Sequence, residues 1–503
     1  MTLRQSAIAF TPNALVLTLI ALASAPVLSA AELPERPNFI VIFTDDQGYG
    51  DLGVQGHPYI RTPNIDRMAR EGVRFTDFYA QPFCGPSRAA LMTGTYPSRN
   101  SLMFNHIPKA RTGIHPNEIT IAELLKDRGY STTMFGKWHL GDAPQFLPTR
   151  NGFDSYYGVP YSNDMWPYHP KIIRRPDEDE RMRYTRERAA YTGYAQSEET
   201  YPVDWFPPLP LIENEEVIEL NPKQELLTAS YTDRAIDYIE SHRDGPFFIY
   251  LAHSMPHVPL FRGRKFRDKS MRGLYGDVIE EIDHNVGRIL ETLKSTGLDE
   301  KTLVIFTSDN GPWVGYGIDA GSAGQLRGAK GTVYEGGIRV PAIMRWPGQI
   351  PTGSVTSEIA SNMDIFPTLA KLAGGAAPPD RTIDGRDLWP LMTEPDAKSP
   401  HDALYFYEGG FRYKAEDGPP KNDPALKAVR SGPWKLYLET EPGDEPDSRK
   451  VIASELFNMH YDVSEKYPLT DKHPEVIERL VKQAQSFNDN LRKSTRPLGR
   501  LAD

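Results

Sequence analysis

The sequence has very little cysteine: Cys84 is the only one among 503 residues. An intrachain disulfide is therefore impossible, and a zinc site built on clustered cysteines is excluded. Positive charge is also in deficit, because 57 Lys and Arg face 67 Asp and Glu, which gives a formal net charge of −10. That balance argues against nucleic acid as a partner, and it requires an anionic substrate to be held by locally clustered cations.

Long apolar runs are absent beyond the N-terminus. There, Arg4 supplies a positive start, Ala14 to Leu28 is apolar, and small residues occupy positions 29–31. The apolar run is shorter than the roughly 20 residues that a membrane-spanning helix needs, so a cleaved signal peptide over residues 1–31 is favoured over a membrane anchor. We predict that the mature protein is exported to the periplasm or secreted, without stable membrane insertion.

Low-complexity tracts and internal repeats are also missing. Hydrophobic residues make up 39% of the chain and charged residues 25%, which is typical of a globular protein rather than a disordered one. The chain is too long for one ordinary domain. We predict an α/β domain over residues 32–400 and a smaller α+β subdomain over residues 401–503.

Four short apolar runs end in polar residues, and each run is typical of a buried strand. Helical spacing between them, as in residues 279–293 and 121–125, predicts a largely parallel sheet with helices on both faces. Ligands of such sheets gather at the carboxyl ends of the strands, so we expect one shared site. The runs and the polar residues that follow them are 38–44 with Asp45 and Asp46, 131–136 with Lys137 and His139, 246–252 with His253 and His257, and 302–308 with Asp309 and Asn310.

Two other regions are less regular. Residues 155–215 are rich in Tyr, Trp, Pro and charge without clear periodicity, and we interpret them as surface excursions over the site. They could form a sugar-binding rim or simply pack against the domain. After residue 400, short β-like pieces at 403–407 and 434–438 precede a helical pattern near Val476, which supports the smaller C-terminal subdomain.

Two adjacent pairs of oxygen donors, Asp45-Asp46 and Asp309-Asn310, stand at predicted strand ends. A single Asp-Asp pair is usually a turn or a helix cap. Two such pairs at the ends of hydrophobic strands favour a hard cation such as Ca²⁺ or Mg²⁺, which prefers several carboxylate and amide oxygens.

The segment from Cys84 to Gly94 is the most specific one in the chain. Pro86 and Ser87 suit the first turn of a helix, which places Cys84 at the positive helix end, where anions are favoured. Arg88 would follow one turn later on the same face. A lone cysteine is more often a small buried hydrophobe, but these neighbours favour a nucleophile at an anion site.

At these residues the chain resembles the type I sulfatases, which belong to the alkaline phosphatase superfamily. The signature is Cys84-Gly85-Pro86-Ser87-Arg88, and the resemblance extends over roughly residues 37–465 without a departure at the core positions. It implies a large mixed, mostly parallel sheet between helices, with 32–400 as the catalytic domain. Further segments that resemble the family are 136–141, 308–311 and 327–341.

The resemblance also implies a sulfuric ester hydrolase of the arylsulfatase type. In such enzymes a formylglycine-generating enzyme of the export pathway oxidises the cysteine, here Cys84, to formylglycine. The metal would be one calcium ion, with magnesium as the less favoured choice. Its implied ligands are Asp45, Asp46, Asp309, Asn310 and the modified Cys84.

The mechanism that the resemblance implies starts from hydrated formylglycine. One hydroxyl attacks the sulfur of a sulfate ester and the alcohol leaves, and then the second hydroxyl loses a proton and sulfate is expelled. The resemblance implies that Arg88 flanks the nucleophile and that Lys137 and Lys330 bind sulfate oxygens. It also implies that His139 is the base for the second hydroxyl and that His257 donates to the leaving oxygen. Finally, it implies that Asp309 accepts the attacking proton and that Ser162 lies near the sulfate. His253 is assigned a structural role.

Alternatives exist for this function. A phosphonate monoester or phosphodiester hydrolase could share the modified-cysteine signature, and a non-catalytic binding protein could share the fold. A binding protein would be expected to have lost part of the nucleophile, metal or sulfate set, and none is missing here. Zinc phosphatase chemistry is disfavoured by Asn310. A sulfated carbohydrate is one candidate for the natural substrate.

Overall fold

The computed structural model describes residues 36–172, 180–192, 201–202, 204–409, 425–442 and 449–502. These residues all belong to one unit, Leu33–Asp503. The predicted signal peptide lies outside the described residues, as do parts of the irregular stretch 155–215. Within the described part of the chain, no helix combines the length and the apolar character that crossing a membrane requires.

The strands are distributed over the whole described chain. They are β1 Asn38–Thr44, β2 Val73–Phe75, β3 Phe78–Tyr79, β4 Thr112–Gly113, β5 Ser131–Lys137, β6 Ser155–Val159, β7 Pro210–Glu213, β8 Glu216–Leu220, β9 Phe247–Ala252, β10 Thr302–Ser308, β11 Ala342–Arg345, β12 Ser354–Thr356, β13 Ala360–Ser361, β14 Leu404–Tyr407, β15 Leu426–Ser431, β16 Trp434–Pro442, β17 Arg449–Asn458 and β18 Gly499–Arg500.

The α-helices alternate with these strands through most of the chain. They are α1 Pro63–Arg70, α2 Cys84–Thr93, α3 Ile121–Lys126, α4 Glu180–Thr192, α5 Leu227–Ser241, α6 Leu274–Ser295, α7 Glu335–Ile338, α8 Ile365–Leu372, α9 Trp389–Thr393 and α10 Pro474–Lys493. The predicted helical patterns near 121–125, 279–293 and Val476 are thus confirmed as α3, α6 and α10.

The main sheet has ten strands in the order β12-β2-β11-β10-β1-β9-β5-β6-β7-β8. The four strands predicted from their apolar runs, β10, β1, β9 and β5, are adjacent and parallel. Antiparallel pairs flank them on both sides, at β10 with β11 and at β6 with β7. The predicted mixed, mostly parallel sheet is therefore confirmed.

Alternating side chains of β1 enter two different cores. Phe39, Val41 and Phe43 join a cluster that also contains residues of α2, α3 and α8. Ile40 and Ile42 join a second cluster with residues of α1, α5 and α6. Because side chains alternate across a strand, a strand that is apolar at every position must be covered on both faces, as the sequence predicted.

The stretch 155–215 is more regular than its sequence suggested. Its described part contains β6, the helix α4 and β7, and both strands belong to the main sheet. The expectation of surface excursions throughout was therefore wrong at these strands. They are short and lie toward one edge of the sheet, so little periodicity could mark them.

A four-stranded antiparallel sheet, β14-β15-β16-β17, follows the main sheet in the chain, and α10 packs against it. Side chains of Leu404, Phe406 and Ala428 from this C-terminal sheet share a small core with Tyr79 and Ile338. A smaller C-terminal α+β subdomain was expected from the sequence, and the antiparallel sheet with α10 confirms that fold class. The exact domain boundary at residue 400 stays a prediction.

A buried ion network also connects the C-terminal sheet to the main domain. Lys435 Nζ of β16 lies 2.8 Å from Glu335 Oε1 at the start of α7, and it donates to the carbonyl oxygen of Val333 at 2.9 Å. Arg430 of β15 pairs with Asp77 at 3.2 Å. The side chains of Glu335 and Lys435 are both fully buried. Lys435 also pairs with Glu465 at 2.9 Å and Glu335 with Arg339 at 3.2 Å, so the buried charges compensate one another as a network.

Candidate active site

The strand register brings the predicted site residues to one edge of the sheet. Thr44 of β1 pairs with Ser308 of β10, so the acids that follow each strand leave the sheet at the same level. Ala252 of β9 pairs with Phe43 on one side and with Gly136 on the other. The four sets of polar residues therefore start from neighbouring positions, as expected for the carboxyl ends of parallel strands.

The two donor pairs contact each other directly. The backbone N–H of Asp46 donates to Asp309 Oδ1 at 3.0 Å, and Asn310 Nδ2 donates to Asp46 Oδ1 at 2.7 Å. Asp46 has a left-handed backbone with φ of 63°, which is uncommon for a residue other than glycine and occurs often at functional sites. This turn lets Asp45 and Asp46 both face the cluster instead of alternating across a strand.

Cys84 is the first residue of α2, as predicted, and it is fully buried. Its Sγ lies 3.3 Å from Asp45 Oδ1 and 3.8 Å from Asp46 Oδ1, while Lys330 Nζ lies 3.2 Å away. The first turn of α2 is held in place by Asn105, whose Oδ1 accepts the N–H of Gly85 at 2.8 Å. Residue 84 is thus positioned between carboxylates and an ammonium group.

Arg88 extends from the next turn of α2 beneath the cluster. Its Nη2 lies 2.9 Å from Asp309 Oδ2 and 3.8 Å from Asp45 Oδ2, and its Nη1 donates to the carbonyl oxygen of Lys137 at 2.6 Å. The sequence predicted that Arg88 flanks the nucleophile. Its contacts are with carboxylates and the β5 backbone around residue 84, so Arg88 orients these groups, and its role beside the nucleophile stays a prediction.

Two lysines pair with adjacent carboxylates of the cluster. Lys137 Nζ, at the end of β5, lies 2.5 Å from Asp45 Oδ2 and 3.3 Å from Ser162 Oγ. Lys330 Nζ lies 2.6 Å from Asp46 Oδ1. Two ammonium groups so close together provide the local positive charge that an anionic substrate needs in a chain of net negative charge.

His257 completes this side of the cluster. Its Nε2 lies 3.3 Å from Ser162 Oγ and 3.5 Å from Asp46 Oδ2, and its Nδ1 lies 2.6 Å from the carbonyl oxygen of Val258. The contact with Val258 places a proton on Nδ1, which directs Nε2 toward the site. Ser162 therefore connects Lys137 with His257, and its position near the sulfate stays a prediction.

His139 and His253 are buried and differ from His257 in their surroundings. Neither ring nitrogen of either histidine has a hydrogen-bond partner among the described residues. Burial holds the pKa of His139 well below its usual value, and the charges of Lys137 and Arg88 lower it further. Burial lowers the pKa of His253 to about 4. Both are therefore neutral near pH 7, and a neutral ring nitrogen can accept a proton.

Trp313 is a site residue that the sequence reasoning missed. Its ring lies 4.6 Å from Lys330 Nζ and 5.6 Å from the ring of His257. A cation next to an aromatic face is stabilised by the ring, so Trp313 helps to orient Lys330 while it forms a wall beside His257. Its position three residues after Asn310 was the one available signal.

The carboxylates of the cluster titrate differently because their neighbours differ. Burial raises the pKa of Asp309 to about 7, and the charge of Asp45 adds to that rise. At Asp45 burial also opposes ionisation, but the lysine at position 137 and the other nearby cations outweigh it and hold the pKa well below its usual range. Burial also raises the pKa of the Cys84 thiol well above its usual value.

The donor set fits a hard divalent cation. Oxygen or sulfur atoms of Asp45, Asp46 and Cys84 lie within 4.8 Å of one another, together with a ring nitrogen of His257. Asp46 Oδ2 and Asn310 Oδ1 are buried without a hydrogen-bond partner among the described residues, as metal ligands would be in the absence of an ion. Carboxylate and amide oxygens in this number suit calcium or magnesium better than zinc.

Comparison with known proteins agrees with this geometry. The family model described as "Sulfatase" matches residues 37–376, and the one described as "C-terminal region of aryl-sulfatase" matches residues 399–502. Arylsulfatase A of Homo sapiens is 39% identical over 477 residues, which cover 90% of this chain and 88% of that protein. N-acetylgalactosamine-6-sulfatase of Canis lupus familiaris is 41% identical over 513 residues, with coverage of 94% and 90%.

Solved structures lead to the same family. The PsFucS1 sulfatase from Pseudoalteromonas sp. superposes with a TM-score of 0.74 at 28% identity, over 92% of this chain and 91% of that one. A phosphonate monoester hydrolase of Agrobacterium radiobacter has a TM-score of 0.59 at 21% identity, over 92% of this chain and 96% of that one, and shares the fold alone. With its family match over most of its length and its cluster of Cys84, acids and lysines, the chain belongs to the sulfatase family and is a sulfuric ester hydrolase.

Proposed function

We propose that this sulfatase cleaves sulfate esters through a formylglycine made from Cys84, with one bound calcium ion, and that it works in the periplasm or outside the cell. The observation that carries the proposal is the environment of residue 84. Its side chain is buried at the start of α2, within 3.3 Å of Lys330 Nζ and Asp45 Oδ1. A free thiol has no evident structural use at that position, whereas a nucleophile does.

The lysines are suited to hold the sulfate group. Lys137 and Lys330 approach residue 84 from different elements, β5 and the loop before α7, so their ammonium groups can bind different sulfate oxygens. Ser162, at 3.3 Å from Lys137 Nζ, can donate a further hydrogen bond. Charge that develops on these oxygens in the transition state would be stabilised by groups already in place.

The histidines are suited to move protons. His257 Nε2 faces the cluster next to Ser162, where a leaving alcohol can receive a proton. His139 has free ring nitrogens with respect to the described residues and lies two residues from Lys137, so it can accept a proton on the sulfate side. Such positioned acids and bases contribute roughly 10²–10⁴-fold each to a rate.

The metal would be held by Asp45, Asp46, Asp309 and Asn310, together with residue 84. A bound calcium ion supplies positive charge that polarises oxygen ligands and favours the nucleophilic form of the hydrate. Arg88 holds Asp309 and approaches Asp45, so the ligand oxygens are oriented by the protein before any ion arrives. Such preorganisation reduces the entropy that metal binding costs.

We expect active protein to carry an aldehyde or its hydrate at residue 84. Peptide mass spectrometry across 84–94 measures the modification, and activity toward 4-nitrophenyl sulfate is measured on the same preparations. Activity should rise in proportion to the converted fraction when a formylglycine-generating enzyme is co-expressed. Full activity in protein that carries only the unmodified thiol would contradict the proposal.

We expect one tightly bound calcium ion per chain. Elemental analysis of the purified protein should find about one equivalent of calcium, or magnesium in its place. Removal by a chelator should abolish activity and lower the melting temperature, because Asp45 and Asp46 are then buried together with fewer compensating charges. Asn310→Ala should weaken calcium binding without removing any of these carboxylates. Stoichiometric zinc without calcium or magnesium would contradict this assignment.

A further inference from the structure

A second cavity is built partly from loops that also form the active site. Its volume is about 550 Å³, within the range of roughly 300–1,000 Å³ typical of small-molecule sites. Trp166 lines it and lies four residues after Ser162, and Phe261 lines it and lies four residues after His257. Gln224, also in its wall, accepts a hydrogen bond from Asn163, the neighbour of Ser162, at 2.9 Å.

The cavity is cationic although the protein is acidic. Five basic side chains line it against two acidic ones, whereas the whole chain has a net charge of −10. A local reversal of charge marks a surface that attracts anions. The basic residues are Arg181, Lys223, Arg262, Arg264 and Arg267, and the acidic ones are Glu180 and Glu225.

Not all of these basic side chains form ion pairs with other described residues. Arg262 is paired with Asp277 at 3.4 Å, and Arg181 donates to the carbonyl oxygen of Asn221 at 2.9 Å. Lys223, Arg264 and Arg267 are exposed and form no ion pair with any part of the chain that the structure describes. These three side chains can therefore meet an external anion, and neutralising them would break no ion pair that the described residues form.

An aromatic wall stands beside these charges. The ring of Phe261 contacts Trp166 edge to face at 5.8 Å and Tyr184 at 6.3 Å. Tyr184 is 38% exposed, so its ring is open to a ligand in the cavity. Aromatic faces combined with polar edges suit amphipathic partners such as sugar rings, and the cations beside them suit negatively charged substituents.

We propose that this cavity binds a second anionic group, a sulfate or carboxylate, on the sugar next to the one whose sulfate ester is cleaved. The inference rests on the proposed function, because it takes the cluster at Cys84 as the place of cleavage. The substrate is then a polyanionic oligosaccharide rather than an isolated monosulfated alcohol. The loops that carry Ser162 and His257 connect the cleavage site with the cavity.

The test uses the double variant Arg264→Gln with Arg267→Gln. Lys265→Gln is the matched control, because Lys265 is an exposed cation of the same loop that does not line the cavity. The probes are tetrasaccharides of chondroitin 6-sulfate and of ι-carrageenan, with neutral chitotetraose as the uncharged counterpart. Their dissociation constants are measured by calorimetry at low salt, which requires no turnover, and their inhibition of 4-nitrophenyl sulfate hydrolysis is measured in parallel.

We expect at least one sulfated tetrasaccharide to bind and chitotetraose to bind far more weakly. The double variant should weaken that binding roughly three- to tenfold, in line with the modest strength of exposed ion pairs, while Lys265→Gln changes it less than twofold. Hydrolysis of 4-nitrophenyl sulfate, which has no second anionic group for the cavity to bind, should stay unchanged in both variants.

The inference is overturned if neither sulfated tetrasaccharide binds, or if the double variant binds as tightly as the Lys265→Gln control. Failure of the proposed function has a different signature: converted, calcium-loaded enzyme would then hydrolyse no sulfate ester, whatever the binding measurements give. The two proposals can therefore fail separately.

Discussion

Cys84→Ser is expected to abolish turnover. Serine offers a single hydroxyl, which can attack sulfur but has no second hydroxyl through which sulfate could be expelled, so the enzyme cannot complete a cycle. Loss of the nucleophile in covalent catalysis costs on the order of 10⁴–10⁶-fold in rate, and we expect a loss of that size in kcat for 4-nitrophenyl sulfate. Steady-state kinetics on wild-type and variant proteins from the same co-expression host provide the measurement.

The control for this variant is its fold. Serine is nearly isosteric with cysteine, and the neighbours of residue 84 stay in place, so calcium content and melting temperature should remain close to those of unconverted wild-type protein. An inactive variant that keeps both supports the chemical explanation. Sustained turnover by Cys84→Ser at more than a few per cent of the wild-type rate would rule out the formylglycine proposal.

His257→Ala is expected to impair substrates according to their leaving groups. A general acid matters most when the leaving alcohol is a poor leaving group. The rate for a sugar or alkyl sulfate should therefore fall by roughly 10²–10⁴-fold, while the rate for 4-nitrophenyl sulfate, whose leaving group is stable as an anion, should fall much less. The comparison is made as kcat/KM on both substrates.

His139→Ala is expected to give a different pattern. If His139 serves as base after the alcohol has left, its loss impairs both substrates by similar factors. His253→Ala is the matched control, because His253 is also a buried histidine at a strand end without a partner among the described residues. Its rates should change by less than about tenfold, below the range for a general acid or base. Equal losses of kcat/KM for His257→Ala on both substrates would contradict these separate roles of His257 and His139.

The central part of the fold could be predicted because its strands have clear local sequence patterns of apolar residues. Runs such as 39–43 and 303–306 are apolar at every position, which is characteristic of a strand covered on both faces. The acids that follow these strands lie at the edge that holds the candidate site. The strands β6 and β7 carry no such signal. Their place in the sheet depends on pairing with residues far away in the chain, such as Tyr157 of β6 with Glu213 of β7.

In the candidate site, too, one part of the arrangement could be predicted from the sequence and another part could not. Residue types and family resemblance pointed to a set of side chains, and the strand ends bring several of them together, as Lys137 and Asp45 show. Their roles stay predictions. The sequence did not predict how the side chains are oriented. That Arg88 turns toward Asp309 and the backbone of Lys137, and that Trp313 lies over Lys330, follows from contacts between residues more than 15 positions apart. Such contacts leave no periodicity in a single sequence.

The buried ion network makes the C-terminal sheet a support for the loop that carries Lys330. Lys435 of β16 binds the carbonyl oxygen of Val333 and the carboxylate of Glu335, a few residues after Lys330. A chimera that exchanged this sheet for one without a matching lysine would remove the donor to the Val333 carbonyl oxygen. It would also leave the buried Glu335 with Arg339, at 3.2 Å, as its main-domain cation, so the loss of Lys435 would lower stability. The sheet is therefore not an interchangeable module, because a replacement would have to supply a cation at the same place.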